Sequence, residues 1–203
     1  MPEWAEDVQP VLKHLARLSI PDRMKFYGVK DAAKAKVVHT QNQACLTAPC
    51  IPAIQRYTGV VYHYLDYPTL GKKQAARKRI HIVSGLFGLI PGGTKIPIYK
   101  LPINPWLAKY WREVNTQRLA EAAKKKPVLS LLPQAYAKAL TLDDVIHIDF
   151  RVQGGKKTAG HAGKAIKGRF VRFLIENGIT DTKDFSEFHE DGFLFDGRDF
   201  VQP

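Results

Sequence analysis

Gly160-His161-Ala162-Gly163-Lys164-Ala165-Ile166-Lys167-Gly168-Arg169-Phe170-Val171-Arg172 opens a helix whose apolar and basic faces are separate. At about 100° per residue, Ile166, Phe170, Phe173 and Leu174 form one stripe. Lys164, Gly168 and Arg172 lie on the far side, with Lys167 at its edge and Arg169 nearby. Gly168 leaves that side open to close approach. Cations in the first two turns oppose the positive N-terminal end of the helix macrodipole, so the pattern points to an anionic partner. The competing reading is a solvated basic face over a core stripe.

Working outward, the whole chain repeats this bias. Its 203 residues carry 31 Lys and Arg against 19 Asp and Glu, a net charge of +12. On an otherwise globular composition that balance points to nucleic acid. With neither a long apolar span nor a strongly amphipathic N-terminal helix, no membrane partner is expected. The length predicts one domain, residues 1–203, with an ample core. Cys45 and Cys50 stand without a zinc pattern and read as reduced thiols. The seven histidines show no metal-ligand spacing, so no metal and no cofactor is expected. The N-terminus lacks the basic and apolar regions of a secretory signal, which predicts a cytoplasmic location.

Val8, Val11, Leu12, Leu15 and Leu18 recur at helical spacing and predict a first helix ending before Ile20-Pro21. A second helix runs from Pro21 to Gly28 and a third from Asp31 to about Val38, so residues 1–40 read as helical. A helical stretch from Ile51 to Tyr67, broken at Gly59, leads to the basic run Lys72, Lys73, Arg77, Lys78 and Arg79, read as a solvated helix end. Arg79 to Ser84 alternates and then turns through Gly85 and Gly88, as a strand delivering a loop at its carboxyl end. Lys95 to Ile103 is extended, Trp106 to Ala123 helical, and Val128 to Leu132 a short strand. Val145 to Val152 alternates as one strand, and Gly154-Gly155 turns it back through Lys156 to Gly160. Asn177-Gly178 stops the basic helix, and a short helix and a strand from Gly192 to Phe195 follow.

Helix, Phe26-Tyr27-Gly28-Val29, then a second helix is the pattern of a helix-hairpin-helix element. Backbone N–H groups at Gly28 and Val29 would face a phosphate at the next helix N-terminus, with Lys25, Lys30 and Lys34 as counter-charge. Such an element reads backbone rather than bases. Gly-Val is also a generic turn. Tyr62, Ser84, Tyr99, His161 and Lys164 are the candidate catalytic residues, lying at or near turns and element ends, but none has a diagnostic spacing. Ser84 lacks the glycine that precedes a nucleophile elbow, and its simpler role is a turn serine bonding its own backbone.

Several segments, taken in order, resemble the YaaA family of peroxide-stress proteins, also called UPF0246. They are Ala53-Ile54-Gln55-Arg56-Tyr57-Thr58-Gly59-Val60-Val61-Tyr62, Val83-Ser84-Gly85-Leu86-Phe87-Gly88-Leu89-Ile90, Ile96-Pro97-Ile98-Tyr99-Lys100-Leu101, the Trp111 helix, Ala135-Tyr136, Lys164 to Arg172, and Gly192-Phe193. The resemblance covers residues 46–195; before Leu46 it is one of helical character only. It implies an α+β fold, a single compact domain of the YaaA type with a mixed sheet, surrounding helices and a helix-hairpin-helix element. It also implies a basic cleft, DNA binding and a role against oxidative damage, with no established catalytic activity. Two departures stand out. Family members begin with a strand and a Ser-Pro-Ala-Lys or Pro-Pro-Ser-Glu-Gly-Lys loop, whereas this chain starts at its first helix, so a pocket needing that loop is incomplete. The segment before Lys164 is more aromatic and apolar in the family.

Two functional readings follow, beside a third, a scaffold or iron-handling protein, that has only the scattered histidines behind it. The first is a sequence-independent DNA-binding protein that contacts phosphates through Lys25, Gly28, Val29, Lys30, Lys34, Lys164, Lys167, Arg169 and Arg172. The second is an enzyme acting on a nucleobase, nucleoside or nucleotide in a basic cleft, which leaves room for a small anionic or nucleotide-like ligand.

Overall fold

Residues 3–124, 126–141, 145–152, 158 and 160–203 are described by the structure, a computed structural model. The fold is α+β, and the chain forms two compact units. One is built from Met1–Arg56, Ile80–Ala122 and Pro133–Thr141, the other from Tyr57–Arg79, Ala123–Leu132 and Leu142–Pro203. Element labels follow chain order.

In the first unit Val8, Val11, Leu12 and Leu15 of the stripe predicted from spacing are buried on α1 (Ala5–Arg17), whereas Leu18 lies past its end as the extended C-cap and is half-buried. Helix α2 (Ile20–Tyr27) starts where Ser19 accepts from the Asp22 N–H and Pro21 presets the backbone. Helix α3 (Ala32–Gln43) runs five residues beyond the predicted Val38. Asn42 explains the extension: it is buried, and its amide exchanges two hydrogen bonds with the Lys100 backbone at 2.9 and 3.0 Å. The predicted helix from Ile51 instead opens as β1 (Ile51–Pro52), paired antiparallel with β4 (Lys95–Ile96), before the single turn α4 (Ala53–Arg56). Proline at the second strand residue and a partner more than forty residues later decided this, and neither is visible in local periodicity.

Strand β2 (His81–Ser84) ends where the sequence places it, and the turn through Gly85 and Gly88 is that of a hairpin. The strand turns directly into β3 (Gly88–Pro91), antiparallel to it. Gly88 has φ +67, and a Cβ there would meet the Trp111 ring at 2.7 Å. Helix α7 (Pro105–Ala123) supplies that ring, and buried Asn115 one turn on accepts from the Leu89 N–H (2.6 Å) while donating to the Ala139 carbonyl (2.8 Å). The short helix α8 (Gln134–Ala137) precedes Ala139.

The second unit has a phenylalanine core. Eight of the chain's ten phenylalanines fall between residues 150 and 200, and they gather around Phe170 and Phe200 instead of spreading over the surface. Phe170 on α9 (Gly160–Asn177) is fully buried and meets Phe185, Phe188 and Phe200 edge-on at 5.2, 5.1 and 4.9 Å between ring centroids. These are the edge-to-face arrangements that aromatic quadrupoles favour. The Ile166–Phe170 stripe read from the sequence therefore faces the core. The predicted strand from Val145 is two strands, β6 (Val145–His147), parallel to β5 (Val128–Ser130), and β7 (Phe150–Val152). Strand β7 pairs parallel with β9 (Phe200–Gln202), which also pairs antiparallel with β8 (Leu194–Phe195). The Gly154-Gly155 turn lies outside the described residues, as does most of the return segment. Thr158 of that segment donates its N–H to the Phe150 carbonyl at 2.7 Å.

Gly168 is buried on α9, and the space beside it holds another helix. Helix α5 (Val60–Leu65) approaches so closely that a Cβ on Gly168 would lie 2.4 Å from the Val61 carbonyl oxygen and 2.8 Å from the Tyr64 Cβ. Helix α6 (Lys73–Arg79) completes the unit. The close approach expected at this glycine thus has an occupant inside the chain. Gly168→Ala is expected to lower stability by about 1–3 kcal/mol through overpacking, although alanine favours a helix by about 1 kcal/mol elsewhere. Urea denaturation followed by far-UV circular dichroism checks this, and equal or higher stability would contradict the close approach.

Candidate nucleic-acid interface

The cations of α9 have different surroundings. Arg172 reaches back over the C-terminal end of α5, where its Nη1 donates to the carbonyls of Leu65 and Asp66, both at 3.1 Å, and to the Thr69 hydroxyl at 2.9 Å. It thereby caps carbonyls that a helix end leaves without partners. Arg169 pairs with Asp191 and stacks over the Tyr64 ring, 5.0 Å from its centroid. Lys167 donates to the Leu131 carbonyl at 3.3 Å. Lys164 is exposed and makes no ion pair among the described residues. Of the four, three are engaged within the chain.

A groove of about 640 Å3 in this unit is lined by Tyr64, Phe173, Arg169 and Arg172 together with the carboxylates of Asp66, Glu176 and Glu190. Its charge is mixed, so it does not amount to the basic cleft the sequence led us to expect.

In the first unit the turn between α2 and α3 has the expected glycine in the left-handed region, Gly28 at φ +61. Its N–H groups are already used. Gly28 donates to the Lys25 carbonyl (3.3 Å) and Val29 to the Met24 carbonyl (3.0 Å), closing α2, and Val29 is buried. At the start of α3, Asp31 accepts from the Lys34 N–H at 2.6 Å, placing a carboxylate where a docking phosphate would sit. Two helices joined by a tight turn are present, but the N–H groups of Gly28, Val29 and Lys34 are satisfied internally. Lys25, Lys30 and Lys34 project as exposed side chains.

Below this turn, the Tyr27 hydroxyl meets His39 Nδ1 at 2.8 Å. Burial pushes the Tyr27 phenol up to about 12, and burial with the Arg23 charge holds His39 below its ordinary 6.5.

The remaining candidate residues meet partners of their own. Ser84 is buried, and its Oγ accepts from the Leu86 and Phe87 N–H groups at 3.1 and 2.9 Å. With both lone pairs engaged, its hydroxyl hydrogen goes to Tyr99 Oη, 2.7 Å away. This is a turn serine braced by a tyrosine, and its hydrogen bonds among the described residues reach no base. Tyr62 stacks on Tyr57 at 5.1 Å, and His161 stands edge-on to Tyr64 at 5.9 Å. Among the described residues no group of three or more His, Cys, Asp or Glu is placed to hold a metal, and no helix is long and apolar enough to cross a membrane.

A further pattern escaped the local reading of the sequence. Between Asp31 and Glu113 lie twelve Lys and Arg and one carboxylate, Asp66, so nearly all of the net positive charge originates there. Lys34, Lys36, Lys72, Lys73, Lys78, Lys95 and Lys100 are all exposed. Scanning for acid-free stretches, instead of for basic clusters on one helix, finds them.

The family profile described as "Peroxide stress protein YaaA" matches residues 1–199. The chain belongs to that family. The match includes the helices before Leu46, where the sequence resembled YaaA proteins in helical character only. Relatives carry the name UPF0246 protein: one from Streptomyces coelicolor is 33% identical over 192 residues, covering 84% of this chain and 71% of the relative. One from Ruegeria sp. is 32% identical over 162 residues, and the match spans 64% of the relative's length. One from Streptococcus gordonii is 26% identical over an alignment of 206 positions that covers 94% of this chain and 83% of the relative.

Two outcomes are expected from this geometry. Arg172→Gln should lower stability by about 1–2 kcal/mol, because hydrogen bonds to charged groups are worth more than neutral ones while partial exposure screens the ion pairs; guanidinium denaturation measures it. His39 binds its proton less readily folded than unfolded, so its contribution is full above pH 6.5 and is lost as pH falls below that value. The melting temperature of His39→Gln should therefore depend less steeply on pH than that of the wild type in the range below 6.5.

Proposed function

We propose that this YaaA-family protein binds duplex DNA through backbone phosphates, without sequence preference, as its part in the peroxide stress response. The observation that supports this most directly is the acid-poor segment between Asp31 and Glu113, with its exposed lysines. Lysines without local carboxylates keep their full charge for an external polyanion, and neutralising phosphates releases condensed counterions. On this reading the contact runs through the side chains of Lys34 and Lys36 at the start of that segment, with Lys25 and Lys30 beside them at the α2–α3 turn, and not through the turn's backbone donors. Arg169 and Arg172 act as builders of the α5–α9 pair, and Lys164 is the cation of α9 that remains for DNA.

Replacing Lys30, Lys34 and Lys36 together by Gln tests this. Fluorescence anisotropy with two unrelated duplexes should show a similar loss of affinity for both, and the log–log salt slope should shrink by about 0.9 for each phosphate that is no longer neutralised. A wild-type affinity indifferent to salt, or a triple variant that binds as the wild type does, would sink the reading.

A further inference from the structure

Arg56, at the end of α4, carries a buried Nε with no hydrogen-bond partner among the described residues. The arginine is half-buried, and comparison with its equals makes it exceptional. Six other arginines are half-buried, and each is held: Arg23 by the Ala16 carbonyl, Arg77 by the Tyr67 hydroxyl, Arg118 by Asp7, Arg151 by Asp199, Arg169 by Asp191, and Arg172 by the α5 carbonyls. Arg23 also has a buried unbonded Nε but is anchored through Nη2. Among the described residues Arg56 has neither anchor nor counter-ion.

Its surroundings are consistent with this. The α4 backbone is tied to the turn after β3 by Ala53 N–H to Thr94 carbonyl (2.8 Å) and Ile54 N–H to Gly92 carbonyl (2.9 Å). Neither residues 32–56 nor residues 80–112 include a carboxylate, so those segments of the unit provide no acid to neutralise it. A guanidinium is always charged, and removing it partly from water without a partner is unfavourable. Its planar fork matches an oxyanion through two parallel N–H bonds, and no partner among the described residues takes up those donors.

We infer that Arg56 is a phosphate seat, filled either by a phosphate of the DNA backbone or by a free phosphate or small phosphate ester. The backbone source rests on the DNA-binding reading; the seat itself does not.

The test uses the whole chain, with Arg56→Gln and Arg56→Lys beside the wild type. Melting is compared in sodium phosphate and sodium chloride at matched ionic strength, and duplex binding is followed across a salt series. Phosphate should raise the wild-type melting temperature above its chloride value, since a ligand of the native state alone stabilises it. Arg56→Gln should abolish that difference and Arg56→Lys, which keeps the charge but not the fork, should reduce it. Should the duplex salt slope of Arg56→Gln also fall by about 0.9, the source is the DNA backbone. Loss of the phosphate effect with an unchanged slope supports the seat with a free phosphate as its ligand, leaving the DNA reading to the lysine variants. If Arg56→Gln does not fold, an undiminished phosphate effect in Arg56→Lys overturns the proposal. It is equally overturned if Arg56→Gln responds to phosphate as the wild type does, or if the wild type shows no phosphate effect and both variants keep its slope.

Discussion

The meeting of α5 with α9 at Gly168 is the constraint on which the second unit depends. No side chain fits between Gly168 and the Val61 carbonyl, so the two helices approach to a distance that only glycine permits. That contact sets the rotation of α9 about its axis. With Gly168 turned to α5, Ile166 and Phe170 face the phenylalanine cluster, and Arg172, one turn further on, arrives over the end of α5 to bond its last carbonyls. One small residue thus fixes which face of the helix is apolar core, which is helix contact and which is capping.

The same geometry divides the positive charge into two kinds. Arginines tend to be structural: they bond carbonyls, hydroxyls and carboxylates in directions set by the planar guanidinium, as Arg118 does with the Phe87 carbonyl and Arg79 with that of Ile179. Lysines tend to remain at the surface, because an ammonium on a flexible stem gains little from a fixed partner and is strongly hydrated. Arg56 departs from the arginine pattern, which is why it attracts a functional reading.

Much of the architecture was legible where it depended on local chemistry. The α1 stripe, the α2 start beside Pro21, the Gly28 turn, the break at Gly59 and the stop at Gly178 all follow from spacing, capping or a positive φ. What was not legible depended on partners distant in the chain. Strands β1 and β9 are two and three residues long, too short for periodicity, and exist because β4 and β7 pair with them. The apolar stripe of α9 was read correctly, but the opposite face was not: nothing in its local sequence says that Gly168 receives a helix or that Arg172 bonds residues more than a hundred positions earlier. At the α2–α3 turn the shape was foreseeable, yet the satisfaction of its donors by Met24, Lys25 and Asp31 required coordinates.

The interleaved path of the chain has a temporal consequence. The second unit draws on three separated stretches, and its central ring, Phe200, belongs to β9 and stacks on Phe150 fifty residues earlier. As the polypeptide leaves the ribosome, the first unit has all its segments once Thr141 has emerged. Its companion must wait with Phe150 and Phe170 lacking their partner until Phe200 appears. During that interval a basic, aromatic-rich nascent chain is exposed, and pairing across such sequence distances is slow. The vulnerable interval of this unit therefore runs from the emergence of Phe150 to that of Phe200, while the α9 apolar stripe lacks the ring that covers it.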